Sequence, residues 1–168
     1  MASVGGVPSD NATVPGTASP EDPSPVMVLM FDTMAPVTGE LANSANAVRG
    51  IPGSGLPWVL GAGCGSLSRD GHLLVRIRGL VLASQPSVPA SLRGSNPFPA
   101  YRVVVSCLSV GAAGTVKIAT ISTGDFAASS SGDSTIDARV SLPRPCIAPI
   151  VLVTGPHGAG QWLAITGG

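Results

Sequence analysis

The apolar run Ile150-Val151-Leu152-Val153-Thr154 is followed by Gly155-Pro156-His157-Gly158-Ala159-Gly160. A strand leading into G-x-x-x-x-G is the first half of a phosphate-cradling loop, in which backbone amides hold a nucleotide's phosphates. That chemistry needs three further parts, and each is missing. Gln161 stands where a lysine would reach the phosphates, and Trp162 stands where a hydroxyl would hold Mg²⁺. The remaining residues, Leu163-Ala164-Ile165-Thr166, read as strand, so no helix N-terminus follows to supply amide donors. The segment therefore reads as a turn joining two strands.

The other reactive residues are few. His72 and His157 are the only histidines, and the three cysteines lack C-x-x-C spacing, so no structural zinc site is expected. Asp125, Asp133 and Asp137 lie around "SGDSTID", whose oxygens do not follow calcium-loop spacing. They read as turn residues. No G-x-S-x-G elbow occurs, and neither enzyme activity nor a cofactor is expected. Two readings of Cys107 and Cys146 stay open: a disulfide between neighbouring strands in an oxidising compartment, or buried free thiols. Either way Cys64 is left over. Trp58, Tyr101 and Trp162 also read two ways, as core anchors or as a stacking platform for carbohydrate or a small ligand beside loops 84–99 and 124–134.

Nucleic acid is not an expected partner. Arg76, Arg78, Arg93, Arg102, Arg139 and Arg144 come without an aromatic stacking platform, and the net charge is zero. No apolar run is long enough to span a membrane, and the opening residues have neither the basic nor the apolar region of a signal peptide. The Asn11-Ala12-Thr13 sequon lies in a segment whose composition makes chance a sufficient origin.

The framework that must position these residues is all-β. Charged residues make up 11% of the chain against about 25% in ordinary domains. The 22 glycines and 16 prolines break helices and supply turns. Residues 1–25 form a Pro/Ser/Gly-rich acidic arm, and residues 26–168 a single β-domain. Strands are expected over 26–34 (well buried), 56–63, 72–83, 101–110, 115–123, 135–142, 147–154 and 161–166, with "GSLSRDG" (65–71) as a turn. In 72–83, Leu73, Val75 and Ile77 face one way and Leu74, Arg76 and Arg78 the other. Such spacing predicts a two-sheet antiparallel sandwich, immunoglobulin-like or jelly-roll-like, with an irregular N-terminal arm.

From "GIPGSGLPWVLGAG" and "DGHLLVRIRGLVLA" through "NPFPAYRVVVSCLS", "STGDF", "RVSLPRPCIAPIVLVTGP" and "QWLAITG", residues 49–168 resemble a group of exported bacterial β-sandwich proteins of actinobacterial type. Those proteins carry no assigned activity. The resemblance implies an extracellular location and so favours the disulfide.

Charge is distributed unevenly. Asp10, Glu21, Asp22, Asp32 and Glu40 precede the first basic residue, Arg49, whereas the nine basic residues from Arg49 onward face only four acids. An acidic arm on a basic body, low charge and high apolarity point to a structural or assembly protein. Its expected partner is its own kind, in a homo-oligomer, shell or fibre joined through the arm and sheet edges. The alternative is a monomeric extracellular module that binds carbohydrate or a small ligand.

Overall fold

The computed structural model describes residues 22–166 apart from 43 and 159. Among these residues the strands, numbered in chain order, are β1 (Met27–Phe31), β2 (Met34–Pro36), β3 (Trp58–Val59), β4 (Ala62–Ser68), β5 (His72–Arg78), β6 (Val81–Leu82), β7 (Ala100–Val110), β8 (Val116–Ala127), β9 (Ser134–Arg139), β10 (Ile147–Thr154) and β11 (Trp162–Thr166). They form a two-sheet antiparallel sandwich. One sheet runs β1-β4-β5-β9, the other β2-β11-β10-β7-β8, and β3 pairs with β6 alone. Asp22–Pro25 form no helix or strand and are exposed. Residues 1–21, with the Asn11 sequon, lie outside the described residues.

Alternation explains the layers. Leu67, Leu73, Val75, Ile77 and Ile136 bury the inner face of the first sheet. Tyr101, Val103, Val105 and Cys107 lie on one side of β7, joined by Val151 and Val153 of β10. The Tyr101 hydroxyl donates to the Leu80 carbonyl at 2.6 Å, just past β5, so that side of β7 faces the other sheet. The opposite side of the five-stranded sheet is partly covered by the connection between β2 and β3. The same connection also pairs along the β11 edge, where Val37 N–H donates to Leu163 O, Ser54 N–H donates to Trp162 O, and Gly53 bridges Trp162 in parallel.

Four expectations are corrected. Residues 26–34 split into β1 and β2, and β1 is an edge strand with Met30 73% exposed, not a buried one. The stretch "GSLSRDG" is mostly β4, because Gly63 and Gly65 pack where Met34 and Phe31 leave no room for a Cβ. Only its last residues turn, at Gly71 (φ +87°). The expected strand 72–83 breaks at Gly79-Leu80 into β5 and β6. β8 continues to Ala127, because an extra residue between Ser122 and Asp125 lets pairing resume beyond Gly124.

Candidate functional site

The expected aromatic platform does not exist at the surface. Trp58 is 2% exposed, Tyr101 0% and Trp162 3%. The Trp58 indole donates to Ser54 Oγ at 3.0 Å and its ring stacks on Phe98 at 5.8 Å. Trp162 is pinned by the bridge to Gly53, and burial pushes the Tyr101 phenol well above the usual tyrosine range, helped by the charge of Asp133. All three are core residues, as large rings with a satisfied polar tip tend to be. The loops proposed to flank them are fastened to each other. Asn96 donates to the carbonyls of Phe98 (2.7 Å) and Ser129 (2.9 Å), and its own N–H donates to Ser130.

The reactive residues are placed apart. His72 meets Asp137 at 2.8 Å on the outer face of the first sheet, where Arg139 also pairs with Asp70 at 2.6 Å. Hydrogen bonds from Ser68 and from Arg139 lower the Asp70 carboxyl to about 2. At the β10–β11 turn, His157 N–H approaches Asp125, whose carboxyl is lowered chiefly by the Arg102 guanidinium at 2.8 Å. Asp133 accepts from Gly79 N–H at 2.9 Å. Each carboxylate is thus held in a turn or a strand pair. Cys107 and Cys146 are bonded, with their Cα atoms 5.0 Å apart, and Cys64 is free and exposed.

The bond lies beside a feature the sequence did not announce. Between Ile147 and Ile150, β10 advances three residues while β7 advances two, leaving a bulge with Ala148 at φ +44°. The bulge frees two carbonyls, and Arg49 fills the gap. Its Nη1 donates to Ser106 O and its Nη2 to Ala148 O, each at 2.7 Å. The guanidinium fork suits two acceptors side by side.

Two surfaces remain. The first is apolar. Val110 pairs with Val116, and Leu108 pairs with both Ile118 and Ile147, so these five side chains share the outer face of β10-β7-β8. Val116 is 72% exposed, Ile118 and Ile147 50%, and Val110 45%. The patch begins where the covering connection ends, at Arg49. Among the described residues β8 is also the open edge of its sheet, although Lys117 and the bulge at 122–125 blunt that edge. The second surface is a groove of about 640 Å³ between the β4–β5 turn and the segment after β9. Val28, Leu142, Pro143 and Pro145 give it apolar walls, and Arg69 and Arg144 stand on its rims.

Among the described residues no group of three His, Cys, Asp or Glu could hold a metal ion, and no helix is long and apolar enough to cross a membrane. Compared with protein-family models, curated proteins and solved structures, the chain matches none.

Proposed function

We propose that this chain is a structural subunit that assembles with copies of itself through its N-terminal arm and the open side of its five-stranded sheet, in an extracellular setting. The observation that carries the reading is the contiguous apolar row Val116-Val110, Ile118-Leu108-Ile147 at an unpaired sheet margin. Scattered exposed apolar side chains need no explanation, but a joined row beside an open strand favours association.

Magnitudes define the arm's part. Covering the remaining exposure of Val110, Val116, Ile118 and Ile147 gives roughly 1 kcal/mol each, so a symmetric contact yields about 8 kcal/mol. Losing rotational and translational freedom costs about 4–15 kcal/mol. The patch alone makes a transient contact, and a second connection is needed for a lasting one. Among the described residues the histidine–carboxylate pairs His72–Asp137 and His157–Asp125 lie apart, and burial of Trp58, Tyr101 and Trp162 removes the aromatic platform of the ligand-module reading.

The test is light scattering on a sizing column. The full chain is expected to run as a discrete assembly, and Val116→Lys/Ile118→Lys to shift to smaller species with unchanged circular dichroism. A full chain that stays at 16.6 kDa across all concentrations would overturn the proposal.

A further inference from the structure

The groove beside the β4–β5 turn has charges that the described fold leaves unmatched. Asp70, its one carboxylate, is engaged by Arg139 and Ser68. Arg69 and Arg144 pair with no carboxylate among the described residues, and both are exposed. Between them lie prolines and aliphatic side chains. Such a surface suits an extended, proline-containing segment bearing acids: prolines lie along apolar walls, and carboxylates reach the guanidinium rims.

This chain contains such a segment. Residues 1–25 carry Asp10, Glu21 and Asp22, no Lys or Arg, and five prolines. The segment also leaves the body at the groove. Arg69 N–H donates to the Val26 carbonyl at 2.7 Å, and Val28 forms part of the wall. Yet Asp22–Pro25 are exposed and do not line the groove, so the root of the arm passes beside it. Twenty-one residues span at most roughly 70 Å when extended. A domain of this size has a radius of gyration of roughly 15 Å. A neighbouring copy's groove is within reach.

We propose that this groove receives the acidic, proline-rich N-terminal segment of a neighbouring copy, with Arg69 and Arg144 holding its carboxylates. The proposal rests on the reading of the chain as a self-assembling subunit and names the receiving site. Because both ends of the contact lie on every copy, reciprocal exchange closes a two-fold dimer, and one-way exchange builds rings or filaments.

The test reverses charges on full-length chains. A groove variant carries Arg69→Glu and Arg144→Glu, and an arm variant carries Asp10→Lys, Glu21→Lys and Asp22→Lys. Sedimentation velocity at low salt is expected to show at least tenfold weaker self-association for each variant. Mixing the two restores one native arm–groove pair and recovers association, and so does placing both reversals in one chain. Wild-type association is expected to weaken as salt rises. Circular dichroism verifies folding, and recovery in the doubly reversed chain excludes simple damage. If either variant associates as the wild type does, or if neither mixture nor double reversal recovers, the groove proposal is overturned. Loss of association in Val116→Lys/Ile118→Lys would then leave the assembly reading standing. A wild-type monomer at every concentration overturns both.

Discussion

Reducing the Cys107–Cys146 bond should change stability by an amount the chain length fixes. The two residues are 39 apart in sequence. Closing a loop of that length restricts the unfolded chain by about 4 kcal/mol at 25 °C on the chain-entropy account. For a domain of this size each kcal/mol moves the midpoint of thermal unfolding by about 2–4 °C, so the reduced protein should melt roughly 8–16 °C lower. Cys107 is fully buried, so reduction is carried out in denaturant and followed by refolding under reductant. Calorimetry then compares two proteins of identical composition except for the bond. Cys107→Ala/Cys146→Ala should match the reduced form, less a small further loss of packing at Cys107. Oxidised and reduced forms melting within about 2 °C of each other would refute the reasoning, because the loop would then not loosen the unfolded state.

Two more outcomes follow from Leu80, which donates its N–H to Gly132 O and accepts from Tyr101. Tyr101→Phe leaves that buried carbonyl unpaired and should cost about 1–3 kcal/mol in urea titrations at neutral pH. Burial raises the folded-state pKa of Tyr101, so the folded protein holds the phenolic proton longer than the unfolded chain does. Its contribution is therefore intact below about pH 10 and is lost as pH rises further. The wild type should lose stability there more steeply than Tyr101→Phe, and parallel pH curves would contradict this. Gly132→Ala should cost about 3 kcal/mol or more, since the residue has φ +79° and a Cβ would collide with Leu80. Gly114→Ala, at φ +75° in open space, should cost only about 1–2 kcal/mol. Equal losses for the two would show that the Leu80 contact is unimportant.

How much the sequence announced depended on whether the signal was local. The alternation Leu73-Val75-Ile77 against Arg76 and Arg78 reports directly which side of β5 is buried, and the layered all-β arrangement follows from many such runs. β4 was hidden because "AGCGS" has turn composition. Its glycines answer to Met34 and Phe31, far away in sequence, rather than to local bending. The end of β8 was hidden for a related reason: Gly124 looks like a terminator, yet sits in a bulge that the strand passes through. Trp58, Tyr101 and Trp162 could not be sorted into core or surface, because a ring's composition is the same in either place and only tertiary packing separates them. Arg49 carried no signal beyond being the first basic residue. Its two carbonyl partners come from a register shift between β7 and β10. The groove joins residues near 28, 69 and 144, and of these only the "PRPC" stretch stood out.

The disulfide has a mechanical consequence. The chain between Cys107 and Cys146 contains β8 and β9, the margin strands of the two sheets on one side of the sandwich. That side is enclosed in a covalent ring. The other margin, β1 and β2, is held by noncovalent contacts alone and lies directly behind the arm. Tension applied through the arm therefore enters at the side that can peel. β1 would strip away from β4 first, and the ringed side would keep its connectivity until the bond itself was cut.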